Sequence, residues 1–431
     1  MYKNKSGVDT MNIQKSNFKW VVFASVLFTY IIISSQRTAP GLITDQIMLG
    51  FNVTATTIGL LASIQFFVYT GLQIPMGFMA DRYGPNFFLI VGASLTGVGT
   101  IIYSIGTHEF ILFFARILIG VGDATIWVNM VLIIGQWFTA KEFTKLIGVT
   151  AMTGSLGFLL ATVPYAFVID LVGWRPAFFS TGVLLCVCAV SLYYVLIKLP
   201  KQPFFIKEEI KREAPFALLQ RIFTTRQAWA LFLCHFGIVG TYVGFISSWG
   251  VPYGINVYGM TLSEASQLMM VGLIGALIGA PLASYLSSRF DEIKRPYIFV
   301  HVTLVCCWSV FVYFSGSPPS NMLTVLFFII GLAYGANALT FAAVRQTFPI
   351  KEAGIVSGFA NTGGFLSAVL LPTIFGKILD QFQVISDSMI NGYYYGFFTP
   401  VIFSIIGLIG VLMVQEKRLV VNIKTVEKED N

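Results

Sequence analysis

FILFFARILIGVGDATIWVNMVLIIGQWF, residues 110–138, is an apolar stretch long enough to cross a lipid bilayer as one helix, yet it carries Arg116 and Asp123. A charge at the centre of a membrane helix costs about 2.5–3.5 kcal/mol on insertion scales, so charges kept there usually have a function. Their spacing of seven residues places both side chains on one helix face, roughly 10 Å apart along the axis. Gly120, between them on that face, leaves room for a neighbouring helix.

The rest of the chain has the same character. It has 431 residues, of which 56% are hydrophobic and 11% charged, more apolar surface than a soluble fold of this size can bury. Stretches of about 20 apolar residues, the length of a membrane-spanning helix, recur along it. The sequence therefore predicts an all-α membrane protein with twelve spans, numbered 1 to 12 in chain order: 20–41, 55–79, 87–106, 110–138, 146–170, 177–198, 228–250, 266–287, 296–316, 322–345, 354–378 and 393–414.

The basic residues predict the orientation. Of 27 Lys and Arg residues, all but Arg37, Arg116, Arg175 and Lys377 lie in the termini or in or beside the loops on the same side of the membrane. Because basic loops are retained in the cytoplasm, we expect a multi-pass protein of the plasma (inner) membrane with both termini cytoplasmic. The net charge of +7 then reflects topology and not nucleic-acid binding.

The chain divides into two halves. A polar segment, residues 198–227, separates six spans from six more, and the pattern Q-x-F-x-x-K-E occurs at residues 136–142 and again at 346–352. A repeat across six spans indicates two parallel halves. The predicted units are a cytoplasmic tail 1–19, a six-helix bundle 20–198, a cytoplasmic loop 199–227, a second six-helix bundle 228–414 and a cytoplasmic tail 415–431.

The loop after span 2 carries a motif. In GFMADRYGP, residues 77–85, Gly77, Asp81, Arg82 and Gly84 resemble the Gly-x-x-x-Asp-Arg-x-Gly loop signature of the major facilitator superfamily, although the basic pair that follows it there is replaced. The resemblance implies a cytoplasmic latch, in which Gly77 allows close helix packing and the two charges hold helix ends.

Two further matches support this resemblance. Arg116-x-x-x-Gly120-x-Gly122 is similar to the fourth-helix motif of the superfamily, and GWRPAFF, residues 173–179, is similar to its entry into helix 6. The resemblance implies a major facilitator fold of two pseudo-symmetric six-helix halves that work by alternating access.

Within the superfamily, the chain resembles the anion:cation symporter family, which includes sugar-acid and sialic-acid type carriers. Arg37 in span 1, Arg116 in span 4 and Asp123 seven residues later match its usual charges, whereas Gln36 stands where many bacterial members have an Asp. The resemblance implies an anionic substrate and leaves Asp123 as the single candidate for proton coupling.

The residues support the same chemistry without the family. Arg keeps its charge and presents a planar fork suited to a carboxylate, so we predict that Arg37 and Arg116 bind substrate. Asp123 can titrate: ionised, it holds an Arg, and protonated, it releases that Arg toward the substrate. The alternative is that the three residues form a fixed salt-bridge cluster that ties spans 1 and 4 together and touches no ligand.

Neutral residues complete the predicted substrate site. Gln65 and Tyr69 belong to a polar stripe on span 2, which lines water more readily than lipid. The full set of neutral candidates is Tyr30, Gln65, Tyr69, Tyr242, Trp249, Asn337 and Asn361. For those of the second half, packing or anchoring at the membrane interface is the competing interpretation.

We therefore predict a monomeric secondary transporter that couples a small organic anion to protons. An exporter of drugs or siderophores and a pH-indifferent anion exchanger are the alternatives, and the absence of a Gly-Pro-x-x-Gly-Gly pattern from span 5 counts against the exporter. A ligand-binding receptor also stays open. No enzyme, metal site or cofactor is predicted, because the three His and five Cys match no catalytic or zinc pattern.

Overall fold

The computed structural model describes residues 18–138, 140–199, 215–290, 292–348, 350–386 and 389–415. Its α-helices are α1 Phe18–Ser35, α2 Thr44–Phe51, α3 Ala55–Tyr83, α4 Pro85–Ile105, α5 Glu109–Trp137, α6 Ala140–Leu160, α7 Val163–Val172, α8 Trp174–Tyr193, α9 Pro215–Thr224, α10 Arg226–His235, α11 Gly250–Tyr258, α12 Leu262–Phe290, α13 Lys294–Tyr313, α14 Ser320–Gly335, α15 Ala338–Thr347, α16 Ile350–Ser386, α17 Met389–Gly396 and α18 Phe398–Met413. Helix α9 lies within the predicted central loop.

These helices form the predicted membrane spans. Within the described residues, eleven helical segments are long and apolar enough to cross a bilayer. Span 7 is the remaining one: it is divided into α10, a π-helix over Phe236–Gly244, and α11. The prediction of an all-α protein with twelve spans is confirmed at this level.

Span 1 is broken where its charge lies. Helix α1 ends at Ser35, residues 36–38 form a turn, and a 3₁₀ helix over Ala39–Ile43 leads into α2. Pro40 explains the break, because proline has no backbone N–H to continue an α-helix. Irregular backbone within a membrane is tolerated where it is buried in protein or lines a cavity, so the break sets Arg37 inside the bundle.

The two halves pack against each other at the end of the bundle opposite Phe18 and Met413, which we call the distal face. There, a Cβ atom on Gly41 of span 1 would lie 2.9 Å from the Ile246 carbonyl oxygen of span 7. Ser63 of span 2 lies 2.8 Å from Thr373 of span 11, measured between their hydroxyl oxygens. The distal ends of both helix pairs are therefore in contact across the two halves.

Candidate functional site

Arg37 and Asp123 form an ion pair in the interior of the first half. The Arg37 Nε donates to Asp123 Oδ2 and its Nη2 donates to Oδ1, both at 2.8 Å. The side chains are 8% and 1% exposed. This two-pronged geometry is the strongest that an Arg and a carboxylate form, and it commits two of the five guanidinium N–H donors of Arg37.

Spans 2 and 4 pack closely enough to aim Asp123 at Arg37. A Cβ atom on Gly120 would lie 2.9 Å from the Gln65 carbonyl oxygen, so only glycine permits this approach without rearrangement. The Gln65 side chain reaches the same carboxylate, with Nε2 3.5 Å from Asp123 Oδ2. The structure therefore brings together three residues that the sequence predicts in this site.

Aromatic side chains surround the pair. The Arg37 guanidinium lies over the Tyr69 ring, 5.0 Å from its centroid, an arrangement that stabilises a cation. Tyr30 is buried and interacts electrostatically with both Arg37 and Asp123. The Tyr69 ring also packs on Phe365 of span 11, with centroids 4.6 Å apart.

Tyr334 of the second half was not predicted, and it interacts electrostatically with Arg37. Its ring lies 4.7 Å from that of Tyr242, measured between centroids. Tyr242 is a predicted site residue, and its buried hydroxyl has no hydrogen-bond partner among the described residues. Tyr334 carries no charge and belongs to no motif, so only the fold reveals it.

Arg116 does not join the ion pair. Its Nε donates to the Leu61 carbonyl at 3.1 Å and its Nη1 donates to the Gln36 carbonyl at 3.3 Å. Its guanidinium also lies 5.9 Å from the centroid of the Tyr103 ring. Of the three residues in the alternative salt-bridge cluster, Arg37 and Asp123 are paired and Arg116 binds backbone oxygens. Substrate contact by Arg116 stays a prediction.

The other predicted residues of the second half occupy separate places. Trp249 donates from Nε1 to the Pro372 carbonyl at 3.0 Å and stacks on Phe375, so it packs between spans 7 and 11 near the distal face. Asn337 is half-buried just before α15. Asn361 is half-buried in α16. Their roles in binding stay predictions.

The predicted latch lies at the end of α3. Gly84 ends that helix with φ of +88°, a conformation that favours glycine. The side chains of Asp81 and Arg82 and the surroundings of Gly77 fall outside what the structure describes, so the latch stays a prediction. Within the described residues, no group of three His, Cys, Asp or Glu side chains is placed to hold a metal ion.

Comparison with known proteins identifies the family. The sequence pattern of the Major Facilitator Superfamily matches residues 23–372. The chain belongs to this family. A bacterial homologue of the human lysosomal transporter Spinster, solved in an inward-facing and occupied conformation, superposes with a TM-score of 0.71 at 16% identity, over 93% of this chain and 97% of the other. The predicted major facilitator fold is confirmed.

Curated relatives extend over most of the chain. A probable sulfoacetate transporter of Cupriavidus necator is 23% identical over 401 residues, covering 85% of this chain and 89% of its own. A probable galactarate/D-glucarate transporter of Bacillus subtilis is 20% identical over 399 residues, covering 85% and 87%. The family and these relatives identify a transporter and not an enzyme, and they confirm the resemblance to sugar-acid carriers.

Proposed function

We propose that the protein is a proton-coupled symporter of a small organic anion that carries a carboxylate or sulfonate. The observation that carries the proposal is the buried pair of Arg37 and Asp123, which joins an anion-binding side chain to a titratable one by two hydrogen bonds of 2.8 Å. The sequence-related transporters named for sulfoacetate and for glucarate support an anionic substrate.

Competition for Arg37 provides the coupling. When Asp123 is ionised it takes two Arg37 N–H donors in the geometry that a substrate carboxylate would use. When Asp123 is protonated it loses its charge, and Arg37 turns its fork to the anion. An anion alone cannot bind, because ionised Asp123 already holds Arg37. Protonation of Asp123 alone is unfavourable, because it leaves the buried Arg37 charge without a partner. Proton and anion therefore bind and cross together.

The surrounding residues favour a small polyhydroxy or sulfonate anion. Tyr30, Gln65 and Tyr69 lie around the pair in the first half. From the second half, Tyr334 interacts with Arg37, and Tyr242 packs on the Tyr334 ring. Hydroxyl and amide groups satisfy substrate oxygens, and the aromatic rings limit its size. We place the carrier, as a monomer, in the plasma membrane with both termini in the cytoplasm and with Asp81 and Arg82 as its cytoplasmic latch.

Uptake into proteoliposomes tests this function. Labelled sulfoacetate and D-glucarate are offered with and without an inward proton gradient, and a lipophilic cation serves as the comparison substrate. The proposal expects accumulation of an organic acid above its external concentration only with the gradient. Uptake that ignores the gradient would identify an anion exchanger, and movement of the cation alone would identify an exporter.

A further inference from the structure

Arg116 occupies a place where span 1 lacks a hydrogen-bond donor. In an α-helix the carbonyl of residue i accepts from the N–H of residue i+4; for Gln36 that residue is Pro40, which has no N–H. Among the described contacts, Arg116 Nη1, 3.3 Å away, is the donor to the Gln36 carbonyl. Because α1 ends at Ser35 and cannot continue through Pro40, an arginine of span 4 supplies the donor that a continuous helix would have given the Gln36 carbonyl.

We propose that Arg116 is a positioning residue: by binding the Gln36 carbonyl it fixes the turn that carries Arg37 and so aligns Arg37 with Asp123. The inference rests on the proposed role of that pair. Gln36 and Arg37 share a peptide unit, so holding the Gln36 carbonyl fixes the backbone from which the Arg37 side chain departs.

The second hydrogen bond of Arg116 links it to a third span. Its Nε donates to the Leu61 carbonyl of span 2, so a single rigid guanidinium ties spans 1, 2 and 4 together. Its positive charge also lies at the carbonyl end of α1, which ends at Ser35, where the helix dipole favours a cation.

The cavity beside Arg116 is too small for an organic anion. It has a volume of about 10 Å³ and is lined in part by Thr44, Tyr103 and Ser247. That is room for about one water molecule. Arg116 itself is 1% exposed. Its Nη2 is buried and has no hydrogen-bond partner among the described residues. Because the adjoining cavity admits no organic anion in this conformation, the proposed effect of Arg116 on substrate passes through Arg37.

A double-mutant cycle between Pro40 and Arg116 tests the proposal without any substrate. Pro40→Ala returns a backbone N–H that lets α1 continue and donate to the Gln36 carbonyl. Arg116→Met should therefore lower the melting temperature by less in the Pro40→Ala background, where the bond to the Leu61 carbonyl is still lost, than in the native background. Arg116→Lys, which keeps the charge and a single donor nitrogen, serves as a milder variant. Equal losses in both backgrounds overturn the proposal.

Arg175 provides the matched control. Its Nη1 also donates to two carbonyls, those of Ser104 and Gly106, both at 2.8 Å. Arg175→Met should lower the melting temperature equally with and without Pro40→Ala, because its carbonyl partners do not depend on residue 40.

Transport kinetics separate positioning from substrate contact. For an acid that the native protein takes up, Arg116→Met should raise KM at least fivefold, Pro40→Ala should restore at least half of that loss, and Arg37→Met should not be rescued. A loss of affinity that Pro40→Ala leaves unchanged overturns the proposal. If the native protein moves no organic acid, the proposed function fails, while the thermal cycle still decides the role of Arg116.

Discussion

The guanidinium of Arg37 and the carboxylate of Asp123 meet in parallel hydrogen bonds between spans 1 and 4, 86 residues apart in sequence and almost fully buried. Burying two charges is expensive, and their attraction repays it only when the geometry is good. Such a pair is poor evidence for stability alone. It is well suited to a switch in which a proton or an anion replaces one partner.

Neutralising one member of the pair should destabilise the protein more than neutralising both. Arg37→Met or Asp123→Asn leaves a buried charge without its partner, which costs about 3–5 kcal/mol. The double variant leaves none, so its melting temperature should lie above that of the Arg37→Met single variant. Thermal unfolding in detergent measures the three. Losses that simply add would show that the two charges do not interact.

Arg37→Lys should keep the fold and weaken substrate binding. Lysine supplies the charge but not the planar fork, so it forms a single contact to a carboxylate. The loss of about 1.4 kcal/mol in charge-assisted hydrogen bonding corresponds to a tenfold rise in KM. Initial uptake rates over a range of substrate concentration measure it. Arg226→Lys, at an exposed position, is the control and should leave KM unchanged. An unchanged KM in Arg37→Lys would show that Arg37 does not bind the substrate.

Asp380→Asn should loosen closure at the distal face. The Asp380 carboxylate, in α16 just beyond span 11, accepts from the backbone N–H groups of Ala55 and Thr56 at 2.8 Å, where span 2 begins. A carboxylate at a helix N-terminus satisfies orphan donors and the helix dipole. A cysteine introduced at buried Ile58 should therefore react at least twice as fast with a membrane-impermeant thiol reagent.

Asp170 gives the control for that experiment. It lies near the distal end of span 5, the counterpart of span 11 in the repeat, and is exposed. Asp170→Asn should leave the labelling rate unchanged. Equal rates in the native protein and in Asp380→Asn would show that this contact does not hold the distal face closed.

Gly59→Ala should open the same face by crowding. A Cβ atom there would overlap the Pro372 carbonyl of span 11, whereas one on Gly50 would meet no atom within 4 Å. Overpacking of this kind costs about 1–3 kcal/mol. In the Ile58→Cys background, the rate of thiol labelling should rise in Gly59→Ala and should not change in Gly50→Ala. Native labelling in both would mean that the two helices separate freely.

The sequence predicts the spans, and it predicts that Asp123 holds an Arg, because both follow from local rules. Twenty apolar residues must cross the bilayer, and a charge such as Asp123 must find a partner inside it. Contacts between the halves depend on the relative placement of whole helices. Asp380 and Tyr334 were therefore missed, and Trp249, selected for the cavity, packs against Pro372 of span 11.

Arg116 shows the same limit at one residue. The spacing of Arg116 and Asp123 correctly places them on one helix face, but the 10 Å between them lets each meet a different part of span 1. Asp123 meets the Arg37 side chain and Arg116 meets the Gln36 carbonyl. Pro40 was the sequence signal for the contact of Arg116 with Gln36, because a proline has no N–H to donate to the carbonyl four residues earlier.

Uptake by Asp123→Asn tests the central claim most directly. Asparagine cannot exchange a proton, so proteoliposomes with this variant should equilibrate a labelled organic acid without accumulating it when an inward proton gradient is imposed. The native protein and Asp170→Asn should accumulate it. Accumulation by Asp123→Asn at the native level would contradict Asp123 as the coupling acid and with it the proposed switch at Arg37.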